Sequence, residues 1–168
     1  MGLNTMCATP IVDEVLFSQD IPKEVNMLLQ QAVSEYHNGD KAEQTLWRAL
    51  NHSPERLEVY VALYKLYFYK NRLEDAERMT LMALERAASL GGFSTDWRDL
   101  NHDSSQWVKA YGAARMYLYT LKALAFIKLR RGQYDLAKCV LFKLSELDKD
   151  DQVGWSVIFD LLNAMMEE

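Results

Sequence analysis

Residues 57–88, LEVYVALYKLYFYKNRLEDAERMTLMALERAA, constrain the fold more than any other stretch of the chain. Tyr60, Leu63, Tyr64 and Tyr67 fall at helical spacing, and Leu73, Ala76, Met79, Ala83 and Leu84 restart that period after a break at Lys70, Asn71 and Arg72. Two amphipathic helices joined by a tight turn form a hairpin. A lone hairpin cannot bury the apolar face of both helices, so the same pattern has to recur and stack.

It recurs. Asp20, Pro22 and Glu24 suit a helix start, and Val25, Leu28, Leu29, Ala32, Val33 and Tyr36 form one stripe that Asn38 and Gly39 are expected to end. Ala42, Leu46, Ala49 and Leu50 make the next stripe, which stops before Ser53 and Pro54. The spacing of Ala42, Leu46 and Ala49 reappears 34 residues later in Ala76, Thr80 and Ala83. Short side chains there let two helices approach closely. A third hairpin spans about 118–147, turning at Gly132, Gln133 and Tyr134, with Ala137 and Leu141 in the matching places and Leu144 where alanine is expected. Trp155, Ile158, Phe159 and Leu162 mark one more first helix without a second, which reads as a cap on the array.

Hairpin starts at 23, 57, 118 and 152 give intervals of 34, 61 and 34, so the middle one carries 27 extra residues. This is an insertion at about 90–117, rich in loop residues and holding Trp97 and Trp107. Trp107, Tyr111, Arg115 and Leu118 are helical in period, so the third hairpin's first helix is predicted to begin near Ser105 and run to Arg131. It would project roughly 10 to 15 Å beyond its neighbours. The helix before the insertion is expected to extend to Leu90. The predicted fold is therefore all-α, a stack of about three helix hairpins with a C-terminal capping helix. It forms one domain over 21–168 behind an N-terminal extension at 1–20, in which Thr9 and Pro10 start at most one short helical turn through Phe17.

Composition narrows the function classes. The 19 basic and 24 acidic residues, with pI near 5.3, supply no cationic field for nucleic acid. Two cysteines, Cys7 and Cys139, lie in no metal or redox motif, which fits a reducing, cytoplasmic setting. Asp13 and Glu14 interrupt the apolar stretch of the N-terminus, against a signal peptide, and no apolar run approaches a membrane span. The glycosylation pattern at Asn51, His52 and Ser53 carries no weight in such a setting. From Gly132 onward eight acids face three lysines, and Glu146, Asp148, Asp150 and Asp151 cluster at one turn, where Asp150 or Asp151 is expected to cap the last helix.

These residues resemble the tetratricopeptide repeat. Ala42, Ala49 and Pro54 match its pattern in the first hairpin, Tyr60, Leu63, Tyr67, Ala76 and Ala83 in the second, and Leu124, Gly132, Tyr134 and Ala137 in the third, while Trp155 matches the large first-helix residue of a capping unit. Departures are a first turn about two residues short, Tyr64 in place of the small glycine, Ala88 in place of proline, and the missing second alanine of the third repeat. The resemblance implies a right-handed superhelix whose first helices line a concave groove that holds a protein segment.

Carried onto this chain, it places Glu58, Val61, Lys65, Phe68 and Tyr69 of the second repeat in the groove, with Tyr119, Lys122, Phe126, Leu129 and Arg130 of the third and Gln31 and Glu35 of the first. Tyr60, Tyr64 and Tyr67 are assigned to the stack. A groove of aromatic and aliphatic residues with scattered cations suits a client peptide or helix with apolar anchors and acidic character. Phe68 and Tyr69 have to be covered, either by such a partner or by the insertion with Trp97 and Trp107. The family's clamp for C-terminal carboxylates needs Lys and Asn where this chain has Met27 and Gln31, so chaperone tails are not the expected client. Small acidic chaperones of type III secretion translocators are similar in size and repeat count. The expectation is thus a non-catalytic adaptor or assembly chaperone without cofactor or metal. The alternative is a homodimer whose extended helices fill each other's grooves.

No catalytic constellation is evident. His37, His52 and His102 sit at turns or in the insertion, and His102 and Asp103 beside Asp96 and Asp99 follow no metal spacing. Gly91 and Gly92 precede no phosphate-binding lysine, and Cys139 is expected to be a buried, inert thiol.

Overall fold

The computed structural model describes residues 20–168, so the expectations for the N-terminal extension and Cys7 lie outside the described residues. The chain is all-α, with seven α-helices and no strand among the described residues. They are α1 (Lys23–Ser34), α2 (Gly39–His52), α3 (Leu57–Tyr69), α4 (Leu73–Gly91), α5 (Gly112–Arg130), α6 (Tyr134–Leu147) and α7 (Trp155–Met166). Each helix packs on the next, and the first helices α3, α5 and α7 also touch in sequence. Three hairpins and a last unpaired helix therefore stand in a row, a helical-repeat fold.

The alanine positions are the contact points of the hairpins. Ala42, Ala49, Ala76, Ala83 and Ala137 are all buried, as is Leu144, which fills the place of the missing alanine. The second and third turns are built alike: Asn71 and Gly132 both adopt left-handed backbone, with φ of 58° and 73°. Asparagine and glycine tolerate that region best. In the first turn the sequence expectation fails. Asn38 and Gly39 do not end α1, which stops at Ser34; Asn38 instead opens α2, its side chain accepting from the Lys41 N–H at 3.3 Å. Asp20 likewise leaves the start of α1 to Pro22. At the far end Asp151 accepts from the Ser156 N–H at 3.2 Å, while buried Asp148 accepts from the N–H groups of Gln152 and Val153 at 3.0 and 3.1 Å. The residue at the N-cap of α7 is Gly154 rather than Asp150 or Asp151; Asp151 reaches past it to the first turn, and Asp148 satisfies the turn that leads in.

The 27 extra residues divide among three places. Helix α4 runs five residues past the point that matches the end of α2, and α5 starts six before the point that matches the start of α3. The remainder is the connector 92–111, which holds a single 3-10 turn at Trp97–Asp99. The predicted start of α5 near Ser105 is thus seven residues early. Lys109 and Gly112 have φ of 50° and 55°, which breaks the helix there, and Trp107 is buried by tertiary contacts while Tyr111 is 79% exposed. Helical spacing across 107–111 is coincidental, while Arg115 and Leu118 of the same pattern do lie on α5. With 19 residues in each of α4 and α5 against 14 in α2 and α6, the excess is about 7 Å at 1.5 Å per residue. Helices α4 and α5 pack on each other, and at the end away from the added turns Glu77 of α4 is tied to Lys128 and Arg131. Burial alone would raise the Glu77 pKa, but the hydrogen bonds from Lys128 and Arg131 outweigh it and hold the carboxyl below its usual range.

The connector is fastened at several points. Trp107 is buried against Phe93 and Tyr117, with ring centroids 5.2 and 6.2 Å away, and its indole N–H donates to the Asn101 carbonyl at 2.9 Å. Lys143 of α6 donates to the Leu100 carbonyl at 2.6 Å, and Gln152 donates to the Trp107 carbonyl at 2.7 Å while accepting from the Ala110 N–H. A second network joins the first two hairpins. The Tyr67 hydroxyl donates to Glu43 at 2.8 Å and accepts from the Trp47 indole at 3.0 Å, and Arg72 donates to both Glu43 and Asp75. Burial first, then its bond to Glu43, pushes the Tyr67 phenol up to about 12.

Candidate functional site

Between the first helices α3, α5 and α7 lies a pocket of about 360 Å³. Phe68 and Phe126 form its floor, tilted against each other with centroids 5.0 Å apart, and Tyr69 meets Phe68 edge-on at 5.6 Å. Lys65 and Lys122 place their ammonium groups over the Tyr119 ring, 5.4 and 4.9 Å from its centroid. Lys122 also donates to the Val153 carbonyl at 2.6 Å, which links α5 to the turn before α7. Arg130 lies over the Phe68 ring at 5.4 Å. Among the described residues, no carboxylate lines this pocket.

Six of the residues placed in the groove from sequence line it together: Lys65, Phe68, Tyr69, Tyr119, Lys122 and Phe126. Arg130 borders it through Phe68. The other placements need correction. Glu58 is 8% exposed and pairs with Arg56 at 2.9 Å, and Val61 and Leu129 are buried. Helix α3 is apolar almost all round, so its spacing does not distinguish the face toward the groove from the faces toward its neighbours. Glu35 is the residue that ends α1, and it turns toward its own hairpin partner, accepting from the Thr45 hydroxyl at 2.6 Å and from Gln31 at 2.8 Å. Those two bonds hold its pKa down, Thr45 contributing most. Gln31 and Glu35 thus lie outside the pocket lining.

Tyr64, Ala123, Ile127 and Ile158 complete the wall without having been foreseen. Tyr64 is the large residue at a place where the repeat pattern has glycine, and that departure was its signal. Ile158, a largely buried stripe residue of α7, closes the side of the pocket that α7 shares with α3 and α5. The insertion does not cover the groove: its Trp107 packs on Phe93 and Tyr117, and no connector residue lines the pocket.

The remaining sites are of other kinds. His102 and Asp103 pair at 3.3 Å but are 70% and 84% exposed, and Asp96 accepts the Arg98 N–H that closes the 3-10 turn. Among the described residues no cluster of His, Cys, Asp and Glu gathers to hold a metal. Cys139, expected to be buried, is exposed on the outer face of α6. It stands one turn from Leu136 and Phe142, both also exposed. No described helix is long and apolar enough to cross a membrane.

Comparison with known proteins gives one informative match. The chain is 31% identical over 133 residues to an uncharacterized 19.8 kDa protein of Azotobacter chroococcum mcd 1, found in the nifW 5′ region; the match spans 78% of this chain and 74% of the relative. The chain belongs to that protein's family. No family model matches the chain, and no solved structure matches it.

Proposed function

We propose that this chain is a non-catalytic, tetratricopeptide-like binding module that holds a segment of another protein in the groove of α3, α5 and α7, as an adaptor or assembly chaperone. The observation that carries the reading is the composition of the pocket: an aromatic floor of Phe68 and Phe126, cations Lys65, Lys122 and Arg130 around it, and no lining carboxylate among the described residues. Aromatic floors supply most of the free energy of peptide capture, and cations at the edge select acidic flanks and speed encounter. The client is therefore an apolar, acid-bearing segment. The relative is named for its place beside nifW, so proteins encoded in that region are the first partners to try.

The test is a titration of the chain with a fluorescent amphipathic peptide that carries aromatic anchors and glutamates. Changing Tyr69→Ala together with Phe126→Ala is expected to weaken binding by roughly tenfold or more with helicity retained. Unchanged affinity would refute the groove as the binding site, and collapse of the fold would reassign both rings to the core.

A further inference from the structure

We propose that the outer face of α7 is a second docking surface, separate from the groove, and that it takes a basic amphipathic helix of another protein. Repeat position, apolar spacing and charge each contribute to that assignment.

Leu161 holds the repeat position of Ala32, Leu66 and Ile127, all of them buried, yet it is 40% exposed. Val157 shares its position with Leu28, Ala62 and Ala123, none of them exposed, yet it is 67% exposed. Two positions that the three preceding first helices keep covered are thus open on α7 alone. With Ala164, also exposed, they recur at steps of four and three, which sets them on one side of the helix, away from the buried Leu162. An apolar stripe of that spacing is what a second helix lays its own anchors against. The groove plays no part in this contact, because Ile158 is the α7 residue that lines it.

The charge of the face selects the occupant. Asp160 stands within the stripe, Glu167 and Glu168 follow at its C-terminal end, and all three are exposed. From Trp155 to Glu168 there is no lysine or arginine. The carbonyls that end the helix add partial negative charge beside the two glutamates. A second copy set on this face by a two-fold axis would bring the same acids together without a compensating cation, in a chain of net charge −5. A helix with apolar anchors and flanking lysines or arginines meets both the stripe and the acids at once.

The experiment titrates the full chain with a fluorescent helical peptide that has leucines spaced three and four apart and lysines beside them, and with a twin that carries glutamate for each lysine. The lysine peptide is expected to bind at least roughly tenfold more tightly than its twin. Val157→Ser with Leu161→Ser is expected to weaken the lysine peptide by roughly tenfold with helicity retained. Asp160→Lys with Glu167→Lys is expected to reverse the preference in favour of the glutamate twin, a gain that damage to the fold does not produce. Tyr69→Ala with Phe126→Ala is expected to leave the lysine peptide's affinity unchanged. Equal affinity for the two peptides, full binding by the serine variant, or loss of the lysine peptide in the groove variant would each overturn the proposal. A dimer in light scattering that the two serine substitutions dissolve would also overturn it, by giving the face to a second copy.

Discussion

Tyr117 and Phe126 stand nine residues apart on α5, half a turn out of phase, and each anchors an aromatic cluster of similar make-up. Around Tyr117, Phe93 and Trp107 close a sealed knot: Trp107 is 3% exposed, its indole N–H is bonded, and carbonyls beside it accept from Lys143 and Gln152. Around Phe126, Phe68 and Tyr69 leave an open pocket with lysines at its edge and Tyr69 54% exposed. The side-chain types barely differ. What differs is coverage: the connector lays Trp107 over one cluster, whereas no connector residue lines the pocket at the other, where Tyr69 stays exposed. Aromatic content alone therefore does not separate core from binding surface.

The contrast can be broken most forcefully at the knot. Trp107→Ala removes a buried ring that bridges Phe93 and Tyr117, and is expected to cost about 4 kcal/mol, read by urea denaturation, with Tm falling by roughly 10 °C. A loss under about 1 kcal/mol would show that the connector is an ornament and the knot no core. Next comes the tie between the lengthened helices. Glu77→Gln leaves Lys128 and Arg131 without their shared carboxylate and is expected to cost about 2 kcal/mol at neutral pH. The pH dependence has a definite sign. Because Glu77 titrates below its unfolded value, its contribution is complete above the ordinary carboxylate range and disappears as pH falls through the folded pKa. The wild-type chain should lose stability on acidification more steeply than the variant, and parallel curves would remove Glu77 from that role.

At the open cluster the order of effects reverses. Tyr69→Ala with Phe126→Ala is expected to change stability by only about 1 kcal/mol while removing most of the peptide affinity. The smallest effect is predicted at Tyr111, in phase with Trp107 along the sequence but exposed: Tyr111→Ala should stay within about 0.5 kcal/mol of wild type. A larger loss there would restore the helix that spacing suggested through 105–111.

How much of this was legible depends on the kind of signal. The hairpins were, because the alanine contacts at 42, 49, 76 and 83 and the turn residues Asn71 and Gly132 recur at fixed spacing and each has a local cause. The size of the insertion followed from the same count. Its shape did not, since Trp107 is held by Gln152 and Tyr117, partners distant in sequence or on another element. On α5, Tyr119, Lys122 and Phe126 line the pocket where polar residues interrupt the apolar face, and Arg130 borders it through Phe68. On α3, where nearly every side chain is apolar, Glu58 and Val61 were misplaced. Glu35 was misplaced for another reason: its helix ends at Ser34, two residues before Tyr36, the last residue of the stripe.

The connector also changes how the array comes apart. Stacked hairpins ordinarily touch only their neighbours, so they open from the ends one unit at a time. Here a segment that leaves α4 is fastened to α6 by Lys143 and to the turn before α7 by Gln152, skipping over α5. Those bonds make α4 through α7 a single cooperative block and leave α1 and α2 as the separable end. In native-state hydrogen exchange the amides of α1 and α2 should open at lower free energy than the rest, and those of α4 to α6 should open together. A molecule of this design can loosen at its first hairpin while α5 and α7, two of the three walls of the groove, stay rigid.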